Sequence, residues 1–122
     1  MTTRTILTVD DSRTMRDMLR MALAGAGFNV VEAVDGEHGL EVLQAHKPDV
    51  IITDINMPKL DGFGFIEAVR VDDSHRATPI LVLTTESDPA KKERARRAGA
   101  TGWIVKPFNP EKLVDAIRRV AA

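Results

Sequence analysis

Five short apolar runs punctuate the chain: Ile6-Leu7-Thr8-Val9, Asn29-Val30-Val31, Val50-Ile51-Ile52-Thr53, Ile80-Leu81-Val82-Leu83 and Trp103-Ile104-Val105. All are rich in β-branched residues and bounded by turn or polar residues, which is how strands read. The third, fourth and fifth runs show little alternation, which predicts burial on both faces and therefore a parallel sheet. Between and after them the apolar spacing changes to threes and fours. Met15, Met18, Leu19, Ala22 and Leu23 predict a helix capped by Ser12 or Thr14 and stopped by Gly25 and Gly27. A second helix is expected from about Gly36 to Ala45, with Leu40 and Leu43 inward and Lys47-Pro48 as its end. A third begins near Asp61-Gly62 and carries Phe65, Ile66 and Val69. The fourth and fifth open alike, on Asp88-Pro89 and Asn109-Pro110, a capping residue followed by proline at the first helical position. The fourth stops at Gly99; the fifth has Leu113, Val114, Ile117 and Val120 as its apolar face.

Strand and helix thus alternate five times, without linker, repeat or low-complexity segment. That pattern implies an α/β fold, a parallel sheet covered by helices on both faces. Right-handed crossovers leave few arrangements, and a closed barrel would need eight strands, so an open doubly wound sheet is expected. The length of 122 residues suits one domain with a core sufficient to need no staples. Charges nearly cancel, 17 Lys+Arg against 18 Asp+Glu, which argues against general binding to nucleic acid or to a membrane surface. The chain has no Cys, excluding disulfides, thiolate zinc sites and cysteine nucleophiles. Met1-Thr2-Thr3-Arg4 lacks the apolar stretch of a signal peptide, and no run approaches a membrane span, so a cytoplasmic location is expected.

In an open parallel sheet, ligands bind beyond the carboxyl ends of the strands. There the sequence places Asp10 and Asp11 after the first strand, Glu32 and then Asp35-Gly36 after the second, Asp54 after the third, Thr84, Thr85 and Glu86 after the fourth, and Lys106-Pro107 after the fifth. Two carboxylates ~4 Å apart repel by roughly 4 kcal/mol at an effective dielectric near 20. One lysine cannot offset three close acids. A hard divalent cation can, and an all-oxygen site suits Mg²⁺ or Mn²⁺. A phosphoryl group then becomes acceptable, with Lys106 on one oxygen, Thr84 donating to another, and Asp54 as nucleophile. Each residue alone has a plainer reading. Asp10-Asp11 could cap a helix, Asp54 could end a strand, Thr84 could be an ordinary strand threonine and Lys106 a solvated loop lysine. Their convergence from four strands is what favours the chemistry. The Met15/Met18/Met21 set reads as helix packing, and His38, His46 and His75 lack metal-ligand spacing.

These motifs together, Val9-Asp10-Asp11-Ser12, Asp54-Ile55-Asn56-Met57-Pro58 with Asp61-Gly62, Leu83-Thr84, Ala98-Gly99-Ala100 and Lys106-Pro107-Phe108, resemble the receiver domains of two-component response regulators. The resemblance covers the whole chain, 1–122, and lies nearest the single-domain chemotaxis regulators. It implies a flavodoxin-like sheet of order 2-1-3-4-5 with five helices. It also implies that Asp54 accepts a phosphoryl group from a histidine kinase, with Mg²⁺ (or Mn²⁺) ligated by Asp10, Asp11, Asp54 and the main-chain carbonyl of Asn56. Lys106 would bind the phosphoryl group, Thr84 would move toward it, and an aromatic in the fifth strand would turn inward; the Lys106-Pro107 bond would be cis. Here that aromatic is Trp103, where Tyr or Phe is common, and Ile55 stands where the enteric chemotaxis protein has an aromatic. Asn56 and Glu86 match the chemotaxis pattern at positions that tune phosphoryl lifetime, implying a short-lived signal.

Output is expected from the face made by the fourth helix, fifth strand and fifth helix. The fourth helix carries Lys91, Lys92, Arg94, Arg96 and Arg97 against Glu93, either a solvated face or a dock for an acidic partner segment. The chain ends with the fifth helix at Ala122, so output is expected by docking to a protein such as the flagellar motor switch, or by passing the phosphoryl group on as a relay intermediate or sink. A monomer is expected. Two other classes compete. A Mg²⁺-dependent aspartate-nucleophile phosphohydrolase of the haloacid-dehalogenase type would separate its two acids by one residue, whereas Asp10 and Asp11 are adjacent. A flavodoxin-like cofactor carrier would need a phosphate loop where those acids stand.

Overall fold

In the computed structural model, which describes residues 3–121, the β-branched runs become strands and the capped segments become helices. The order is β1 (Thr5–Val9), α1 (Arg13–Gly25), β2 (Asn29–Ala33), α2 (Gly36–His46), β3 (Val50–Thr53), α3 (Gly62–Val71), a 3-10 turn (Asp73–His75), β4 (Ile80–Thr84), α4 (Pro89–Ala98), β5 (Gly102–Val105) and α5 (Pro110–Ala121). The strands form a parallel five-stranded sheet, β2-β1-β3-β4-β5. Met1 and Thr2, part of the start that lacks a leader-like run, and Ala122, where the fifth helix is expected to end, lie outside the described residues.

Strand side chains alternate between two cores, one on each face of the sheet. Leu7, Val9, Ile51, Ile80 and Val82 meet Leu43 of α2, Phe63, Phe65, Ile66 and Val69 of α3, and Ala95 of α4. Ile6, Val50, Ile52, Leu81 and Leu83 meet Leu19 and Leu23 of α1 and Leu113, Val114 and Ile117 of α5. Each large side chain so buried, Phe65 for example, contributes roughly 1.5–3 kcal/mol. Helix starts follow the capping logic: Ser12, Asp35, Asp61 and Asp88 each accept a hydrogen bond from a backbone N–H of the first turn they precede. Asn109 does the same for α5 through the Lys112 N–H.

Three expectations need correction. Of the Met15/Met18/Met21 set read as helix packing, only Met15 packs on the core, while Met18 and Met21 are 48% and 75% exposed on the outer side of α1. β5 is not buried on both faces: it is an edge strand, half-buried, with Val105 exposed, and the both-faces-buried strands are β3 and β4, with β1 close behind. Its apolar run arises because Trp103 packs toward α4 on one face and Ile104 toward α5 on the other, while its outer edge has no neighbouring strand to cover it. β2 is longer than expected and takes in Glu32 and Ala33, so Glu32 belongs to the strand rather than to the loop beyond it.

Candidate functional site

The register brings the carboxyl ends of β1, β3, β4 and β5 to one edge. Val9 lies beside Thr53, and Thr84 beside Val105. Asp10 and Asp54 continue the two central strands, tied by Asp54 N–H donating to the Val9 carbonyl at 3.0 Å and Asp10 N–H donating to the Ala33 carbonyl at 3.1 Å. Lys106, the first residue after β5, reaches over this edge. Its Nζ lies 2.9 Å from Asp10 Oδ2 and 2.9 Å from Asp54 Oδ2. The other oxygens of the two acids are held by backbone: Asp10 Oδ1 accepts from Ser12 N–H at 2.9 Å, and Asp54 Oδ1 from Ile55 N–H at 2.7 Å. Asp11 is exposed, yet one ligand atom from each of Asp10, Asp11 and Asp54 can be chosen with all three inside 4.8 Å.

Three carboxylates against one ammonium leave the rim short of positive charge. Burial pushes the Asp10 carboxyl above its ordinary value, and the Ser12 N–H and the Lys106 ammonium offset only part of this. For Lys106, burial acts to lower the ammonium's pKa, but the hydrogen bonds and charges of Asp54 and Asp10 outweigh it, and the net shift is upward. An all-oxygen cluster of this size is the chemistry a hard dication requires. The three acids therefore fit such an ion as its ligands.

Thr84 is the last residue of β4 and wholly buried; its Oγ1 accepts from Glu86 N–H at 3.2 Å, and its carbonyl accepts from Lys106 N–H at 2.8 Å. Trp103 pairs with Val82 in the β4–β5 ladder and packs against the same core face as Val82 and Ala95. It also lines a cleft of ≈ 240 Å³ between α4 and β5, with Lys92 and Arg96. Asn56 lies two residues beyond Asp54 on an exposed loop. The Lys106–Pro107 peptide is cis. The α4 cations are partly engaged at home: Lys91 Nζ lies 3.2 Å from Glu86, Arg96 and Arg97 pair with Glu93, and the Arg94 guanidinium sits 4.0 Å over the Phe63 ring.

For some positioning residues the role emerges only from the structure. Gly62 is one: a Cβ there would meet the Asp54 carbonyl oxygen at 2.3 Å and Ile55 Cα at 2.7 Å, so α3 can start this close to the acid only without a side chain. The Asp61-Gly62 pair marks the start of α3 and stands among the motifs that carry the resemblance, but neither reading shows the close approach to Asp54. Arg70 is another. Its guanidinium donates to the carbonyls of Gly99, His75 and Thr78 at 2.7–3.0 Å, strapping α3 to the segment before β4 and to the turn before β5. No local pattern reveals that contact. Glu32 takes no place on the rim; it pairs with Arg16 and Arg20 of α1.

A family model described as the response regulator receiver domain matches residues 6–118. The structure of Vibrio cholerae chemotaxis protein CheY4 superposes with a TM-score of 0.93 at 47% identity, covering 98% of this chain and 99% of that one. Chemotaxis protein CheY1 of Helicobacter pylori is 38% identical over 94% of this chain and 94% of its own length. The "Probable transcriptional regulator ycf27" of Guillardia theta is 41% identical over 94% of this chain, which spans only 44% of that protein. Among the described residues no helix is long and apolar enough to cross a membrane. The fold, the acid rim and these likenesses agree: the chain belongs to the response regulator receiver domain family of two-component signalling.

Proposed function

We propose that the protein is a phospho-accepting switch in which Asp54 takes a phosphoryl group from the phosphohistidine of a histidine kinase. In that transfer the P–N bond to the histidine breaks, a P–O bond to an Asp54 carboxylate oxygen forms, and the imidazole leaves. The observation that carries the reading is the ammonium of Lys106 at 2.9 Å from both Asp54 and Asp10. It stands where it can turn from a carboxylate to an incoming phosphoryl oxygen. Asp10, Asp11 and Asp54, with the main-chain carbonyl of Asn56, would hold Mg²⁺ or Mn²⁺. When bound, that ion supplies neutralising charge for the phosphoryl oxygens.

Phosphorylation adds nearly two negative charges and three acceptor oxygens. Thr84 Oγ1 already accepts from the Glu86 N–H, and its own proton is the one to donate to the new group. Drawing Thr84 toward the rim vacates space on the core face it shares with Trp103, which is the route from chemistry to the α4-β5-α5 face. The phosphoryl group selects that arrangement by binding it better. The target is proposed to be a protein docking on this face, in a chemotaxis pathway, with the flagellar motor switch as the leading candidate; relatives bearing chemotaxis names support that assignment.

Trp103 is the chain's one tryptophan, so its fluorescence reports the switch face. Acetyl phosphate with Mg²⁺ should change that emission, and Asp54→Ala should abolish the response. An unaltered response in Asp54→Ala, or steady turnover of added phosphate esters as in a phosphohydrolase, would overturn the reading. Capture of a flagellar switch component by the beryllofluoride-activated form would support motor output. Rapid return of the phosphoryl group to a phosphotransfer histidine without such capture would indicate a relay or sink instead.

A further inference from the structure

Asp10 is fixed at four points. Its N–H, both carboxylate oxygens and its carbonyl each have a partner. The carbonyl belongs to the peptide that joins Asp10 to Asp11, and its partner is Nη1 of Arg16, which donates at 2.6 Å. The Arg16 side chain is largely buried, 13% exposed, and its Nε lies 3.5 Å from Glu32 Oε1. Glu32 Oε2 in turn accepts from Arg20 at 2.8 Å, and Arg20 also donates to Asp17 at 2.8 Å. A chain of charge-assisted contacts therefore runs from the β2 edge through α1 to the one peptide plane shared by the two acids. Asp11 is exposed, so packing does not aim its carboxylate. The orientation of that peptide plane sets where the Asp11 side chain leaves the backbone.

We propose that Arg16, seated by Glu32, is a positioning residue that holds the Asp10–Asp11 peptide so that both carboxylates address one bound dication. The inference rests on the metal reading above. Arg16 touches neither carboxylate; it acts through the main chain. A guanidinium suits the task because one planar group spans a carbonyl and a carboxylate at fixed angles, whereas a lysine ammonium is a single point charge on a flexible stem. Support of this kind, one shell behind the ligands, is worth about 10-fold or more in metal affinity.

The test keeps charge constant, because losing the Arg16 cation would itself favour a dication. Arg16→Lys and Glu32→Asp both preserve charge while breaking the span. Mg²⁺ affinity is measured by calorimetric titration, and metal-free thermal stability is measured separately. The expected result is a dissociation constant about 10-fold higher for Arg16→Lys and raised in the same direction for Glu32→Asp. A purely structural role would lower the metal-free melting temperature and leave the affinity of the folded protein unchanged; folded Arg16→Lys within twofold of wild type overturns the proposal. If Arg16→Lys does not fold, Glu32→Asp decides by the same criterion. Failure of the wild type itself to bind Mg²⁺ would instead overturn the metal reading.

Discussion

Lys106→Met removes a charge while keeping most of the side chain's length and volume, so it isolates what the ammonium does for the acidic rim. The Nζ lies 2.9 Å from each of Asp10 Oδ2 and Asp54 Oδ2. With charge centres ~4 Å apart, each attraction is worth about 4 kcal/mol at an effective dielectric near 20. Desolvation of the ammonium takes back a large share, and loss of one partner from a buried pair commonly costs about 3–5 kcal/mol. The Lys106, Asp10 and Asp54 side chains are 11%, 3% and 12% exposed, so water reaches the margin of the site. The lower end, about 3 kcal/mol, is therefore expected near neutral pH without divalent ions. In urea, with a slope of roughly 1.5–2 kcal/mol/M, the midpoint should fall by about 1.5–2 M. The loss should shrink as pH falls through the raised pKa of Asp10, because protonation removes the repulsion that the lysine was screening. A midpoint within 0.3 M (about 0.5 kcal/mol) of wild type at neutral pH would refute this electrostatic account of the site.

Two further changes probe its other supports. Gly62→Ala should lose about 2 kcal/mol in urea denaturation, although alanine is normally the better helix former by about 0.5–1 kcal/mol, because its Cβ would press on the Asp54–Ile55 backbone; wild-type stability would mean the strand end yields. Asp10→Asn should make the metal-free protein more stable near neutral pH. A carboxyl whose folded-state pKa is raised loses stability as pH rises through it, so the gain should fade on acidification. Pairwise urea titrations across pH check this, and a gain that grows toward acid would contradict it.

The fold was legible wherever a local signal and a global requirement coincide. Asp88-Pro89 starts α4 and Gly99, at φ 121°, ends it, as the capping chemistry dictates. The acids and Lys106 were legible as a group because a parallel sheet must deliver strand ends to one edge. What sequence could not show depended on neighbours. An apolar run such as Trp103-Ile104-Val105 reads alike at the centre or edge of a sheet, and only the strand order leaves Val105 45% exposed. Glu32 looks like a loop acid until Arg16 and Arg20 are seen beside it. Arg70 looks like any helix-end arginine, and its carbonyl partners lie up to 29 residues away. Gly62 carries its meaning in the space it leaves empty against Asp54.

The central claim is that the carboxylate of Asp54 is the acceptor. Mass mapping of peptides after treatment with acetyl phosphate and Mg²⁺, with borohydride trapping of the acyl phosphate, reads this directly. The account predicts one modified residue per chain, Asp54, and none when Mg²⁺ is withheld by a chelator. Modification at Asp10 or Asp11 in its place, or undiminished labelling of Asp54→Ala, would contradict it.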